Sequence, residues 1–362
     1  MLRYFILICI QSLVLLTYGQ HAGGECGTKI NNNERKIFKK LPPVRETAIS
    51  MPGSVKGITI QYLGAGGILI THNNTTIAID PFFSNIPVKP WTHSIRPDTI
   101  AIENVSGINN LRNADAVFIT HAHYDHLLDV PYLYKKVFTK RPSIHGSKSV
   151  NNLLKNLVPA ADLINVQDSA SRYTDTKIHW IYVNQTIRVM PILSDHAPHY
   201  KYLKLFDGEA IIAPTEEEYY KGTEPALWKE GRTLAYFVEI IEKSDTFRIH
   251  IQTSACTPTE GLPPQAYIQQ VGNADVAMIC MASFDNVDDY PDRLLNYLKP
   301  EKVVIVHWEN FFSKYSLNKK RHKVVSVTNG LCFLERLEKL LYPGLLKEKC
   351  LLPLPNSVIH IN

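Results

Sequence analysis

Apolar and polar residues alternate from Ile58 to Leu63, the two-residue period of a strand with one face covered. A Gly-rich turn, Gly64 to Gly67, leads into Ile68–Ile70, and Asn73-Asn74 closes a hairpin into Thr76–Asp80. Ala114–Thr120 is a short buried-strand pattern that stops in a polar cluster, after which Leu127–Tyr134 predicts a helix. Further strands are expected at Ser143–His145, Ile178–Val183, Thr186–Leu193, Leu234–Ile241, Phe247–Thr253, Val276–Met281 and Lys302–His307. Helices are expected near Ser147–Leu157, Pro264–Val271, Pro291–Leu298 and Leu331–Leu341. Hairpins first and strand–helix alternation later predict a layered α/β protein with mixed sheets.

The pattern also divides the chain. Residues 1–19 place Arg3 before an apolar run, Tyr4 to Leu16, and end on Thr17-Tyr18-Gly19, the order of a secretory signal. The run falls short of the about 20 apolar residues that span a bilayer. An exported chain, extracellular or periplasmic, is therefore expected. Residues 20–56, with Gly23-Gly24, Asn31 to Asn33 and Pro42-Pro43, read as an arm or linker. Tyr200–Arg232 fits no core element and reads as an insertion or lid, and 343–362 as a C-terminal tail.

Composition changes this picture little. Hydrophobic residues at 45% and charged residues at 20% exclude a disordered or fibrous chain. The net charge of +5 is scattered, and its one cluster, Lys319 to Lys323, reads as a solvated helix face, so no nucleic-acid partner is expected. Beyond Cys9 in the signal there are five cysteines, Cys26, Cys256, Cys280, Cys332 and Cys350, with no CxxC pair. One or two disulfides suit an exported chain, and an odd count leaves a thiol over. Sequons begin at Asn73, Asn74, Asn104 and Asn184.

The chemistry concentrates where the buried strand ends, in Thr120-His121-Ala122-His123-Tyr124-Asp125-His126. Alternate residues at a strand end point the same way, so His121 and His123 can grip one ion from one side. Asp125 and His126 follow where the chain turns into a helix and can face a second ion. Imidazole and carboxylate are the ligands zinc takes when no thiolate is offered.

In this His-x-His-x-Asp-His run the chain resembles the metallo-β-lactamase superfamily, over about residues 57–342. Ile58–Asp80, with its Gly-rich turn and Asp80-Pro81 exit, is similar to that family's opening strands. The resemblance implies a four-layer αββα sandwich of two mixed β-sheets flanked by helices, with metals at one rim. It further implies that His196, after the strand ending at Leu193, completes a first site with His121 and His123. His307, after Val303–Val306, would join Asp125 and His126 on a second. One departure stands out. Most of the family place a bridging Asp after an intervening strand, and here the strand runs into Thr253-Ser254-Ala255-Cys256 without an acid. Ser254 occupies that position on this reading, with Cys256 as an outside alternative. Members of one branch carry Ser there and hold two zincs, so two zincs are expected, with one tight and one loose site as the alternative.

The implied activity is hydrolysis by a metal-activated hydroxide of an ester-type bond, whether phosphodiester, ester or lactone. Asp125 would bind metal and orient the nucleophile, and His199 or Tyr124 would protonate the leaving group or touch substrate. The ending His307-Trp308-Glu309-Asn310 resembles the lactonase-like and phosphodiesterase-like members, which act on small-molecule or lipid-like substrates. Peripheral membrane contact is compatible with that. A β-lactam hydrolase of the Ser-containing dizinc type and a non-catalytic metal-binding relative remain the alternatives, and no Gly-x-Ser-x-Gly motif supports serine catalysis.

Overall fold

The computed structural model describes residues 32–51, 55–86, 94–105, 108–200, 202–314, 322–326, 328–341 and 344–362. The predicted signal, 1–19, lies outside the described residues.

Among the described residues thirteen strands pair in one continuous path that folds into two halves, and a fourteenth pairs off that path. The first half carries β2 (Ile58–Gly64), β3 (Gly67–His72), β4 (Thr75–Ile79), β5 (Ala116–Phe118), β6 (Ser143–Gly146) and β7 (Leu163–Asn165). β2 to β4 are antiparallel hairpins, and β4 to β7 run parallel. The second half carries β8 (Ile181–Tyr182), β9 (Ile187–Leu193), β10 (Leu234–Glu242), β11 (Asp245–Gln252), β12 (Val276–Cys280) and β13 (Lys302–Val306). Here β8 to β11 are antiparallel, and β11 to β13 run parallel. The expected mixed sheets are present.

Strand alternation in the first half sorts side chains between two cores. Ile68, Ile70, Ile77, Ile79 and Phe118 face inward and share one apolar cluster with Val189, Tyr236, Ile249 and Met278 of the second half. Their alternates Leu69, Ala78 and Val117 face outward and pack with Leu127, Leu153 and Leu154 of the helical layer. Helices Gln265–Val271, Asp292–Leu298 and Gly330–Leu340 pack on the second half through Ile268, Leu295 and Phe333. The result is the four-layer sandwich that the resemblance implied.

Three expectations need correction. The segment 343–362 is no tail: β14 (Cys350–Ile361) joins the halves, pairing with β13 through Cys350–Leu351 and with β2 through Ser357–Ile361. Pro353 and Pro355 hide this strand from a pattern reading, because proline cannot donate to a ladder. They fall between those two pairings, where the sheet path turns from one half to the other, and Pro353 stands in register with Val44 next to an irregularity in that ladder. Nor are residues 20–56 only a linker. The helix Glu34–Lys40, capped by Asn33, buries Ile37, and β1 (Pro43–Ile49) runs parallel beside β14. Finally, 200–232 is partly core: Tyr219 and Trp228 are fully buried, and the Tyr219 hydroxyl donates to the Leu128 carbonyl at 2.8 Å.

Because β14 closes the sheet, its core side chains should matter as much as those of any central strand. Ile359 is fully buried. Ile359→Ala should cost about 2–5 kcal/mol in urea unfolding. A cost below about 1 kcal/mol would mean the strand is an accessory.

Candidate metal centre

Two triads of side chains converge at the rim where β5, β9, β11 and β13 end. His121, His123 and His196 present ligand atoms that all lie within 4.8 Å of one another, and so do Asp125, His126 and His307. Each position follows from local chain geometry. β5 ends at Phe118, the extended residues to His123 carry both histidines, and the short helix Tyr124–Leu127 turns Asp125 and His126 alongside. His196 follows β9, and His307 follows β13 at a positive φ of 54°. The triads adjoin, with the His121 and His126 rings 3.9 Å apart between centroids.

The imidazoles are aimed by partners behind them. Asp80, fully buried, accepts from the Thr120 amide at 2.7 Å, the Thr120 hydroxyl at 2.5 Å, the Thr253 hydroxyl at 3.0 Å and His126 Nδ1 at 2.8 Å. His121 Nδ1 lies 3.1 Å from that same Thr120 hydroxyl, and His196 Nδ1 is 2.6 Å from the Ala197 carbonyl. Nε2 of His121, His123 and His126 is left buried with no hydrogen-bond partner. Buried polar atoms are seldom left so. Three such atoms at one rim fit a cation, and an oriented ring with its far nitrogen held is the usual arrangement for a metal ligand.

A second knot seats His307. Its amide reaches the Ala65 carbonyl and the Tyr62 hydroxyl, each at 2.9 Å. The Tyr62 hydroxyl donates to Glu309 at 2.6 Å, and the Ala65 amide donates to the same carboxylate at 2.6 Å. The close approach of the Gly-rich turn explains its composition: a Cβ on Gly66 would lie 2.6 Å from His126 Cε1.

Electrostatics matches this geometry. Burial, then neighbouring imidazoles, holds His121 and His196 well below the ordinary histidine range. Burial and then His199 bring His123 down to about 3. Burial opposes ionisation of Asp125, yet His126 and His307 overcome it and hold its carboxyl well below the usual range. At neutral pH the first triad is thus neutral imidazole, the form that binds metal, and Asp125 is an anion.

The remaining predicted residues divide. His199 stacks on His196 with 4.7 Å between centroids, outside both triads. Tyr124 is buried against Phe82, and burial, then Asp125, raises its hydroxyl well above the phenol range. Ser254 is buried, and its hydroxyl donates to the Ala255 carbonyl at 3.2 Å. The Cys256 thiol contacts the Glu260 carbonyl at 3.2 Å, away from the soft-ligand role. Sequence reasoning missed the supporting layer of Thr120, Thr253, Tyr62 and Glu309, and took Asp80 only as part of an opening motif. The signal available was a lone acid ending the apolar strand Thr76–Ile79.

Two outcomes follow. Asp80→Asn keeps a side chain that tolerates the φ of 43° but removes the anion behind His126. It should weaken metal retention against a chelator by about 10–100-fold with far-UV circular dichroism unchanged. The metal-free protein should also lose stability on acidification. His121, His123, His145, His196, His199 and His250 all have folded pKa values below the ordinary 6.5. Below about pH 6.5 the unfolded chain therefore binds protons that the folded chain refuses, and stability falls. His126, Asp129, Glu230, Asp275 and Asp285 are raised and work the other way, but they are fewer than the six histidines. The urea midpoint of chelator-treated protein should drop steadily from about pH 6.5 to about pH 4. A flat profile would contradict buried neutral imidazoles.

Residues 75–285 match the family model of the β-lactamase superfamily domain. Over 101 residues the chain is 32% identical to a metal-dependent hydrolase of Thermus thermophilus, a match covering 26% of this chain and 38% of that relative. The chain thus spans well under half the length of the curated relatives it matches. A possible metal-dependent hydrolase from Veillonella parvula superposes with a TM-score of 0.49 at 14% identity, covering 83% of this chain and 98% of that one. A metallo hydrolase from Ignicoccus hospitalis gives a TM-score of 0.44 at 14% identity, covering 83% and 97%. With its family match spanning more than half of the sequence, the chain belongs to the metallo-β-lactamase superfamily.

Proposed function

We propose that this protein is a secreted, zinc-dependent hydrolase that cleaves an ester-type bond in a small-molecule or lipid-like substrate. The observation that carries the reading is the pair of adjoining triads with three buried, unpartnered Nε2 atoms. The donor set is nitrogen and carboxylate oxygen without thiolate, which suits zinc. His121, His123 and His196 would hold one ion, and Asp125, His126 and His307 a second. When bound, the metal supplies Lewis acidity, acidifying a water and polarising the substrate oxygen.

The chain's own residues do the rest. The Asp125 carboxylate is an acceptor that can orient the attacking water. His199 Nδ1 accepts the Leu205 amide at 3.1 Å, so the neutral ring carries its proton on Nε2. Burial keeps that ring near a pKa of about 4, so at neutral pH it serves as an N–H donor to a substrate or leaving-group oxygen. Tyr124, with its raised pKa, likewise retains its proton. In the segment that follows His199 the Phe206 ring lies 6.4 Å from the His123 ring, and Tyr202, Leu203, Ile211 and Ile212 are exposed, apolar surface that would suit a lipid-like or aryl group over a sugar. Export is supported by Cys332, which is disulfide-bonded, while Cys256, Cys280 and Cys350 are buried free thiols.

Ser254 bears on the metal count. Its hydroxyl is turned to the Ala255 carbonyl, and among the described residues no acid bridges the triads. This favours one tight and one loose site over two equal ones.

Elemental mass spectrometry of the secreted protein should find one to two zincs per chain. Chelator-sensitive turnover is expected for at least one of a bis-aryl phosphodiester, an aryl ester, a lactone and a cephalosporin. Cephalosporin turnover alone would select the β-lactam reading, and no turnover after zinc is restored would select a non-catalytic binder. His123→Ala should lower hydrolysis by at least about a thousandfold with the fold intact. Retained activity would remove the first triad from the mechanism. Ser254→Asp should raise zinc stoichiometry under limiting metal, and no gain would place the missing acid elsewhere.

A further inference from the structure

The Asn-x-Thr and Asn-x-Ser motifs play no part in the metal centre, and the fold gives them different surroundings. Asn73 and Asn74 form the tight turn between β3 and β4, with His72 paired to Thr75 across it. Both are exposed. Asn73 adopts a φ of 53°, which asparagine and glycine tolerate, and its Nδ2 lies 3.0 Å from His72 Nε2. Among the described residues the Asn74 side chain has no hydrogen-bond partner, and the hydroxyl residue of its motif is Thr76. Asn184 is half-buried in the turn between β8 and β9. Its Oδ1 accepts the Thr186 and Ile187 amides at 2.8 and 2.7 Å, and its Nδ2 donates to the Thr75 hydroxyl at 2.7 Å. That last bond clasps β4 of the first half to the turn that enters β9 of the second. Asn104 spends its Nδ2 on the Ile100 carbonyl at 2.8 Å, and Ser106 of its motif lies outside the described residues.

We infer that Asn74 is a site of N-linked glycosylation and that Asn184 is bare in the folded chain. The inference rests on the export reading, which brings the chain to the compartment where such sugars are added. In the transfer, Asn74 Nδ2 bonds to C1 of an oligosaccharide while the bond from C1 to a lipid diphosphate breaks. The diphosphate leaves with the electron pair, and the amide gives up one proton. Transfer acts on the entering chain before the sheet assembles, so the fold decides which sugars the native state tolerates. A sugar on Asn74 extends from an exposed turn and displaces no side-chain contact. On Asn184 it would stand in the clasp and part Thr75 from the β9 turn, leaving polar groups unpaired.

Position gives the modification a consequence. β4 runs from Thr75 at this turn to Ile79, and Asp80 behind the metal centre follows it. Asn74 therefore stands about 20 Å along the strand from the centre. A bulky hydrated sugar there covers the end of the sandwich opposite the metal rim. It bars close contact with a partner or a bilayer at that end and leaves the rim open to substrate.

The experiment secretes the full chain, with its own leader, from a eukaryotic cell line. N-glycosidase in heavy-oxygen water then converts each occupied Asn to a labelled Asp, and peptide fragmentation locates the label. Most secreted chains should carry it at Asn74 and none at Asn184. Asn73→Gly suits the positive φ and leaves the Asn74 motif whole, so occupancy should not change. Zinc content should be equal before and after sugar removal. A secreted chain bare at Asn74, a label lost in Asn73→Gly or a label at Asn184 in the secreted protein would overturn the inference. Loss of zinc on sugar removal would overturn the placement away from the rim. A chain left in the cytosol without sugar overturns the export reading and the inference together, and where the protein is found tells the two failures apart.

Discussion

The centre depends on one buried carboxylate. Asp80 stands at the end of β4, a place where a lone anion would cost several kcal/mol. Four donors from the segments after β5 and β11 make it tolerable: the Thr120 amide and hydroxyl, His126 Nδ1 and the Thr253 hydroxyl. Satisfying that anion fixes the relative positions of the segments that follow β4, β5 and β11. Thr120 passes the constraint to His121, so both triads inherit their register from a residue that belongs to neither.

The cost of such a centre is electrostatic, and the structure spreads it. Burial drives the first-triad imidazoles to the neutral form, so crowding His121, His123 and His196 within one small volume does not stack positive charge. Asp125 stays ionised against the same burial because His126 and His307 flank it. On the far side, Glu309 binds the Tyr62 hydroxyl and the Ala65 amide, which lets the chain leave β13 with His307 in a left-handed conformation. β14 holds this arrangement together by pairing with both β2 and β13, the strands that lead into Ala65 and His307.

Sequence pattern made much of this legible, for physical reasons that also mark its limits. Strands β2 to β5 and β9 to β13 repeat apolar residues at strand periods and end in punctuation, so their positions could be read directly. The ligand candidates could be read because chemistry and pattern coincide: polar residues that cannot be core follow immediately after apolar strands. β14 could not, because Pro353 and Pro355 are incompatible with an ordinary central strand and fall where pairing changes hands. Trp228 and Tyr219 lie in a polar stretch, and nothing local reveals that distant Leu128 receives the Tyr219 hydroxyl. Thr120 and Thr253 carry the same difficulty. Their meaning lies in a carboxylate 40 and 173 residues away.

The two triads are also unequal in a way that ligand identity alone does not show. In the first, His121 and His123 already present unpartnered Nε2 atoms, and the opposite nitrogen of His121 is held by Thr120. Binding there asks little reorganisation. In the second, His307 Nε2 and Asp125 sit 3.3 Å apart, about the spacing of two ligands on one tetrahedral zinc, but His126, whose pKa Asp125 and Asp80 raise against burial, holds a proton more tightly than the first-triad rings and must release it to bind. Among the described residues no bridging carboxylate offsets the repulsion of two dications, and the nearest hydroxyl candidate, Ser254, is turned aside. Proton affinity and charge thus point in the same direction. On the proposed reading the His121–His123–His196 set is the tight site, and occupancy of the other is where a change of metal supply or a substrate oxygen would be felt first.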